Sequence, residues 1–226
     1  MVQFNLPRRE ITLKVVYYGP ALSGKTTNLQ ALHLMAPSGS AGRLMTLETR
    51  DDRTLFFDLL PVVFRSAAGF TLKVKVLTVP GQVIHDSTRR VVLQGADAIA
   101  FIADSQISET EANKESFRNL RANLEANGLP ADLPMVIQFN KRDLPEIRSE
   151  AELQAFQRHR STPLIPAIAI RGIGVRETLE GLLSVAWDRL DREFKMGERL
   201  KVEKDAFLAE VFRGWKPPQP VFGGGR

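Results

Sequence analysis

Residues 19–26 read Gly-Pro-Ala-Leu-Ser-Gly-Lys-Thr and directly follow a short apolar run, Ile11 to Tyr18. The pattern G-x-x-x-x-G-K-T, placed between a strand and a helix, is that of a loop whose backbone N–H groups surround phosphate groups. Gly19 and Gly24 supply the bends, because glycine has no Cβ to obstruct the backbone. The pattern therefore predicts a strand, a phosphate-binding loop and a helix over Thr26 to Met35.

The polar residues of this loop suit a polyphosphate. The Lys25 ammonium is expected to reach the outer phosphates, and the Thr26 hydroxyl is placed to bind Mg²⁺. The following helix directs the positive end of its dipole to the same point. We therefore predict that the phosphates contact most of the loop, namely Gly19, Ala21, Leu22, Ser23, Gly24, Lys25, Thr26 and Thr27.

A second motif, Asn140-Lys141-Arg142-Asp143, follows the apolar run Met135 to Phe139. An Asp carboxylate in this motif accepts two hydrogen bonds from guanine, and adenine has no matching pair of donors. The carboxyl ends of parallel strands are also where such folds bind ligands. Asn140, Lys141 and Asp143 are therefore predicted to bind the base and to select GTP and GDP.

Between these motifs lies Thr78-Val79-Pro80-Gly81-Gln82, where a GTPase normally has D-x-x-G-Q. Thr78 offers a neutral hydroxyl in place of the carboxylate, so Mg²⁺ is expected to rely on Thr26, a second threonine and the phosphates. Gly81 is predicted to present its N–H to the γ-phosphate. Gln82 is predicted to orient the attacking water.

The motifs resemble those of the bacterial gliding-motility small GTPases of the MglA type, a Ras-like family. The resemblance covers about residues 8–196 and is carried by Tyr17–Pro20, Asp52–Asp58, Thr78–Gln82, Ala103–Gln106 and Asn140–Pro145. Threonine at the position of Thr78 belongs to that family's pattern. The resemblance implies an α/β P-loop NTPase of the Ras-like GTPase fold, with a mostly parallel central sheet, helices on both faces and an extra C-terminal helix.

The resemblance also implies roles for further residues. Thr54 would reach Mg²⁺ and the γ-phosphate, so that Thr26 and Thr54 are the predicted metal ligands. Arg53 would act in cis on the transition state and, with Gln82 and Lys25, complete the catalytic set. From the residues alone the segment 50–53 is a mixed charge run, which is more typical of a solvated loop.

The biology implied by the resemblance is that of a molecular switch. The chain would hydrolyse GTP to GDP slowly, until an activating protein of the Roadblock/longin-like class (MglB type) binds it. Its nucleotide state would control partner binding in cell polarity or motility. The effectors are not identified by the sequence.

Two positions depart from the family pattern. Ala21 stands where glycine is usual, and a side chain there is expected to crowd Gln82 and Arg53. This departure and Thr78 support an alternative function, a GTP-binding scaffold that hydrolyses slowly. A P-loop kinase or ATPase is the other alternative, and Asp143 argues against it. Ala169-Ile170-Arg171 lies at the loop that usually reads Ser-Ala-Lys, with Ile170 in place of the lysine. Ala169 and Ile170 are therefore expected to contact guanine through backbone N–H groups.

Composition limits the remaining possibilities. The chain has 226 residues, no cysteine and a net charge of +5. The lack of cysteine excludes disulfides, prenylation and palmitoylation, and no apolar run approaches the ~20 residues that span a bilayer. The basic residues alternate with acidic ones and no block of like charge occurs, so nucleic-acid binding is not predicted, whereas weak contact with an anionic surface remains open. We expect a cytoplasmic protein, with recruitment to a cell pole as a further expectation.

The strand and helix patterns complete the expected fold. The segment Phe70 to Val79 alternates between apolar and polar residues and is predicted to lie near a solvated edge. Ala98 to Ala103 and Met135 to Phe139 are mostly apolar and are predicted to be central strands. Apolar residues at helical spacing from Val175 to Leu190 are predicted to pack on the sheet.

The sequence after about Lys195 departs from the family. Phe207, Leu208, Val211, Phe212 and Trp215 repeat at helical spacing before a Pro-rich and Gly-rich end. We predict a GTPase domain over residues 1–196 and an extension over 197–226, with an amphipathic helix and a disordered tail. Docking of its apolar stripe on the same domain is favoured over a partner or a membrane. Removal of residues 198–226 is expected to leave nucleotide affinity almost unchanged.

Overall fold

Apolar and alternating segments of the chain form the strands of one sheet. The computed structural model describes residues 2–5, 7–47, 57–65, 69, 71–81, 86–158, 160–200 and 202–221. Within these ranges the strands are β1 (Gln3–Asn5), β2 (Glu10–Tyr18), β3 (Met45–Leu47), β4 (Phe57–Arg65), β5 (Thr71–Thr78), β6 (Ala98–Asp104), β7 (Met135–Asn140) and β8 (Leu164–Pro166). The α-helices are α1 (Lys25–Met35), α2 (Asp86–Leu93), α3 (Thr110–Ala126), α4 (Glu150–Arg158), α5 (Val175–Phe194), α6 (Met196–Leu200) and α7 (Lys204–Val211).

The sheet is mostly parallel. Its strand order is β3-β4-β5-β2-β6-β7-β8, and β1 pairs with β2 outside this path. The strands β5, β2, β6, β7 and β8 are parallel to one another, whereas β1, β3 and β4 pair in antiparallel fashion. This arrangement confirms the predicted α/β architecture. The carboxyl ends of the parallel strands meet at one edge of the sheet, where such folds place their ligands.

The position predicted for β5 was wrong. This strand lies between β4 and β2 and pairs with both, so it is internal rather than near an edge. Its alternation has a different cause: from Thr71 to Lys75 one face of the strand is partly exposed to solvent, whereas the other face is buried. Leu72, Val74 and Val76 are buried, whereas Lys73 and Lys75 face solvent to different degrees. The central positions of β6 and β7 are confirmed, since each has a strand on both sides.

Helices cover both faces of the sheet, as predicted. One buried cluster contains residues of α1 and α5, including Leu29, Leu32 and Leu182. The other contains residues of α2 and α3, including Leu93 and Leu120. The stripe of α5 therefore packs on the sheet as expected. Among the helices of the described ranges, none is both long and apolar enough to cross a membrane.

The C-terminal residues also pack on the sheet domain. Leu208, Val211, Phe212 and Trp215 belong to the cluster shared with α1 and α5. The Trp215 ring stacks on that of Phe64 of β4, with 6.4 Å between centroids. These contacts confirm that the apolar stripe docks on the same chain. The division into a domain over residues 1–196 and a separate extension stays a prediction.

Candidate functional site

The phosphate-type loop connects the end of β2 to the start of α1. Gly24 precedes α1 with φ +96°, a left-handed conformation that favours glycine. A Cβ at this position would lie 2.2 Å from Nδ2 of Asn140. Asn140 uses this nitrogen to donate a hydrogen bond to the carbonyl of Ser23, at 2.8 Å. The loop is therefore fixed by an amide from another motif, and it has no room for a side chain at Gly24.

The Lys25 side chain lies folded into this loop. Its Nζ donates hydrogen bonds to the carbonyls of Gly19, at 3.1 Å, and Pro20, at 2.6 Å. Burial lowers the pKa of Lys25 to about 7, and the positive charge of Arg89 acts in the same direction, against an opposing effect of Asp58. An anion placed beside Lys25 would favour its charged form. The loop thus presents a cation whose protonation depends on what is bound.

A carboxylate that the sequence analysis did not assign lies next to Thr26. Asp58 of β4 is buried and accepts a hydrogen bond from the Thr26 hydroxyl at 2.6 Å. The Thr78 hydroxyl donates to the same carboxylate oxygen at 3.2 Å, and the Asp58 N–H donates to the Thr78 hydroxyl at 2.8 Å. Asp58 therefore provides a carboxylate beside the position where Thr78 replaces the usual aspartate. That replacement was the signal that could have led to it.

A buried arginine orients the Pro80-Gly81 backbone. Arg89 of α2 has no exposed surface; its Nε donates to the carbonyl of Pro80 at 2.9 Å, and a guanidinium nitrogen donates to the carbonyl of Gly81. Because a peptide bond is planar and trans, fixing the Pro80 carbonyl also fixes the direction of the Gly81 N–H. Arg89 is thus a positioning residue for the backbone donor that the sequence assigns to phosphate binding.

The environment of Arg89 explains how the fold holds a buried cation. The guanidinium lies 5.3 Å from the ring centroid of Tyr18 and donates to Oδ1 of Asn119 at 2.6 Å. Asn119 and Asn123 each donate to Asp86 at 2.7 Å. The charge of Arg89 is therefore linked to a carboxylate through amides of α3. Sequence reasoning missed Arg89, although it lies three and four residues before the buried Val92 and Leu93.

Ala21 lies against Gly81. A Cβ built on Gly81 would be 2.3 Å from the Cα of Ala21 and 3.1 Å from its Cβ. The loop and the Pro80-Gly81 segment are therefore in direct backbone contact, and the methyl group of Ala21 is part of this contact. The expected crowding of Gln82 concerns a residue outside the described ranges and stays a prediction.

The Asn140–Asp143 segment, predicted to bind the base and here called the base-binding motif, joins two loops. Asn140 accepts a hydrogen bond from the Ala169 N–H through Oδ1, at 2.9 Å, while its Nδ2 holds Ser23. The Arg142 N–H donates to the carbonyl of Ala167 at 3.1 Å. One asparagine thus connects the phosphate-type loop to the loop that contains Ala169.

Lys141 and Asp143 of this motif differ in their pairing and exposure. Lys141, in a left-handed conformation with φ +64°, pairs with the buried Asp104, with 2.6 Å between Nζ and Oδ2. Asp143 is exposed and has no hydrogen bond to another residue within the described ranges, so its carboxylate can accept from a ligand. Ile170 is 45% exposed. Its side chain offers no polar group, as the sequence indicated.

A cavity of about 510 Å³ opens where the phosphate-type loop meets the ends of β4 and β5, and Lys25, Thr26, Asp58, Thr78 and Gly81 line it. The structure thus brings together the predicted loop residues and Gly81, and connects them through Asn140 to Lys141, Asp143, Ala169 and Ile170. Three predicted residues, Arg53, Thr54 and Gln82, lie outside the described residues. The ligands of all these residues stay predictions.

The doubly covered parallel sheet, its strand-loop-helix phosphate motif and the Asn-Lys-x-Asp loop define a small P-loop GTPase. No protein-family model matches the chain. Mutual gliding-motility protein MglA of Myxococcus xanthus (strain DK1622) is 44% identical to it over 189 residues, which make up 83% of this chain and 97% of that protein. The chain therefore belongs to the MglA family of Ras-like small GTPases, and it binds guanine nucleotides.

Proposed function

We propose that the chain is a GTP/GDP switch whose phosphate site is the cavity between the Gly19–Thr27 loop and Gly81. The observation that carries the proposal is the convergence there of the Lys25 ammonium, the Thr26 hydroxyl and the Asp58 carboxylate. A cation and backbone N–H groups suit phosphate oxygens, and oxygen ligands suit Mg²⁺. The guanine would lie against Asn140, Lys141 and Asp143, with Ala169 and Ile170 behind it.

The donor set beside Thr26 fits Mg²⁺. Two hydroxyls and one carboxylate are hard oxygen ligands, which this ion prefers, and it usually keeps waters and phosphate oxygens as its other ligands. Thr26 would bind it directly, with Thr54 as the second threonine, and Asp58 would supply the negative charge that Thr78 cannot. Bound Mg²⁺ would neutralise charge on the phosphates. Thr78 would orient the Asp58 carboxylate.

For hydrolysis we propose the roles expected from the sequence. Gln82 would orient the water, and Arg53 would stabilise charge that develops in the transition state. Contacts of the described residues support this mechanism: Arg89 donates to the Pro80 and Gly81 carbonyls, so the protein itself fixes the direction of the Gly81 N–H. Lys25 would neutralise the outer phosphates in the same place.

The proposed cellular role rests on the similarity to the Myxococcus xanthus protein. Its name assigns the Myxococcus xanthus protein to gliding motility, and we propose that this chain acts in motility or cell polarity, in the cytoplasm, with recruitment to a pole. An activating partner of the Roadblock/longin-like class would stimulate hydrolysis by ordering Arg53 and Gln82. Different conformations with GTP and GDP would then select other partners.

Single-turnover GTP hydrolysis, with and without a Roadblock-type partner, tests the proposal. Arg53→Ala should retain GTP binding and lose about 10³-fold of stimulated turnover, because the contact is made in the transition state. Arg50→Ala removes an arginine from the same charge run and serves as the matched control. Equal turnover of the two variants would contradict the role of Arg53, and equal affinity for ATP and GTP would contradict the base assignment.

A second candidate, a scaffold that binds GTP and hydrolyses it slowly, is favoured by the contact between Ala21 and Gly81. The two candidate functions predict different effects of Ala21→Gly on the rate of GTP hydrolysis. If the methyl group crowds Gln82, this change should raise intrinsic hydrolysis from about 10⁻⁴ toward 10⁻² s⁻¹, the value of a site with its arginine in place. No acceleration, together with no response to a partner, would support the scaffold.

A further inference from the structure

The last described segment of the chain crosses the loop beside the base-binding motif. Residues 216–221, here called the C-terminal strap, begin where the Lys216 N–H donates to the carbonyl of Met35 at the end of α1, at 2.8 Å. The strap ends where the Val221 N–H donates to the carbonyl of Ile170, at 2.9 Å. It therefore connects the helix that follows the phosphate-type loop to the Ala169–Arg171 loop.

The strap and the loop are in backbone contact. Gly172 has φ +74°, and a Cβ built on it would lie 2.8 Å from the backbone nitrogen of Gln219 and 2.9 Å from its oxygen. Any side chain at Gly172 would have to displace the strap, because the nearest atoms are backbone atoms. The absence of a side chain at this position is thus a condition for the contact.

The start of the strap is fixed to the core. Trp215 is 8% exposed and Phe212 is 3% exposed, and their ring centroids lie 5.3 Å apart. The Arg176 guanidinium lies 5.2 Å from the ring centroid of Phe212. Because this anchor is buried, the entropy cost of ordering the six strap residues is reduced at one end.

The loop held by the strap is itself part of the base side of the site. Asn140 binds the Ala169 N–H and the Ser23 carbonyl, and the Arg142 N–H binds the Ala167 carbonyl. A displacement of the Ala169–Arg171 loop would therefore remove support from the motif that ends in Asp143. The strap contacts the same loop and its end, at Ile170 and Gly172.

We propose that the C-terminal strap holds the base-side loop closed and thereby slows the release of bound guanine nucleotide. The inference rests on the proposed placement of guanine at Asp143 and Ala169. Nucleotide release requires this loop to open, and every contact present only in the closed loop raises the cost of opening. The strap therefore acts mainly on the dissociation rate. This proposal differs from the expectation drawn from the sequence, that removal of residues 198–226 leaves nucleotide affinity almost unchanged, and the release rate decides between them.

The direct test measures the release of fluorescent N-methylanthraniloyl GDP from the full chain and from a variant that lacks residues 216–226 but keeps Trp215. Release should be about tenfold faster without the strap, because a hydrogen bond and its packing are lost. The association rate should change less than twofold. Release within twofold of the full chain, in a variant that remains folded by circular dichroism, would overturn the proposal.

A matched pair of point variants tests the hydrogen bond itself. Val221→Pro removes the N–H that donates to Ile170, whereas Val221→Ala retains the N–H and shortens the side chain. Release should be about fivefold faster for the proline variant, the usual effect of one such bond. The alanine variant should be within twofold of the parent. Equal rates for the two variants would overturn the role of this bond, even if the truncated chain proved unstable.

A second pair tests the backbone contact. Gly172→Ala should also accelerate release, and Gly128→Ala is its control, since Gly128 has a similar φ of +63° and no atom within 4 Å of a Cβ. In the chain without the strap, Gly172→Ala should have no further effect beyond that of its backbone strain. Additive effects would mean that the strap and the loop are independent. Failure to bind any guanine nucleotide would instead contradict the proposed function.

Discussion

The phosphate side and the base side of the site are built in different ways. Around the phosphates, the fold buries charged groups: Lys25, Asp58 and Arg89 all have less than a tenth of their surface exposed. Around the base, the loops are joined mainly by backbone and amide hydrogen bonds, with Asn140 at the centre, although Lys141 also pairs there with the buried Asp104. The phosphate side should therefore respond to changes of charge and pH, and the base side to changes of hydrogen-bonding pattern and loop closure.

The largest effect is expected from Lys25→Met on the phosphate side. The loss of a buried cation that faces phosphate should weaken GDP binding by about 4 kcal/mol, as measured by calorimetry. Without nucleotide, stability should change by no more than about 1 kcal/mol, since relief from burying a cation offsets two lost hydrogen bonds. A large loss of stability in denaturant unfolding would show that Lys25 is mainly structural.

Asp143→Asn is the corresponding change on the base side. The amide exchanges one acceptor for a donor, so guanine affinity should fall by about 3 kcal/mol and xanthine nucleotides should become preferred. Competition between GDP and xanthosine diphosphate measures both the loss of guanine affinity and the change of base preference. Equal losses for the two nucleotides would place the base elsewhere and remove the distinction between the two sides.

Asp58→Asn tests whether the metal relies on a carboxylate of β4. The affinity for Mg²⁺-GDP should fall by about 2 kcal/mol, while metal-free binding changes little. Asp97→Asn is the control: this carboxylate is partly buried, less so than Asp58, and accepts a backbone hydrogen bond from Lys14 at 2.8 Å, but it precedes β6 at the opposite edge of the sheet. If nucleotide binding by both variants depended on Mg²⁺ to the same degree, Asp58 would be excluded as a contributor to metal binding.

The smallest effect is a pH dependence confined to the phosphate side. Burial lowers the pKa of Lys25 to about 7 from 10.5, so stability without nucleotide should rise with pH between these values, where the unfolded chain binds the extra proton. Phosphates favour the charged form, so GDP binding at pH 8.5 should take up close to one proton, and affinity should decrease by up to about 1.4 kcal/mol per pH unit above 7.

Calorimetry in buffers of different ionisation enthalpy measures this uptake. Lys25→Arg keeps its charge at every accessible pH and should take up no proton. Below about pH 6 the parent should also take up none, because Lys25 is already protonated. Equal uptake by Lys25→Arg and the parent would assign the proton to another group.

Much of the fold follows from local patterns. The run from Ile11 to Tyr18, the loop after it and the helix to Met35 were predicted within one or two residues, because apolar periodicity and glycine spacing are local properties. The edge position of β5 was wrong because alternation reports that one face is uncovered, and it does not report which strands are neighbours. Strand order depends on contacts between distant segments, which no local pattern contains.

The same limit applies to the site. Asn140 and Asp143 could be predicted because their motif is contiguous. The roles of Asp58 and Arg89 depend on pairing between β4 and β5 and on the packing of α2 against α3, so their partners are 8 to 32 residues away. A missing aspartate at Thr78 implied that a carboxylate was needed, but only the sheet register identifies which one. The contact of the C-terminal strap with the Ala169–Arg171 loop also joins distant segments, so no local pattern predicts it.

The uncovered part of the sheet has a consequence for solubility. Lys73 pairs with Glu10 at 2.8 Å across the exposed face, and Lys75 and Lys14 lie on that face of their strands. An uncovered, regularly paired surface of apolar residues would invite a second copy to stack on it. The lysines make such stacking costly because each would lose its hydration. Their replacement by valine or isoleucine is therefore expected to leave the monomer folded and to shorten the time over which a concentrated solution stays clear.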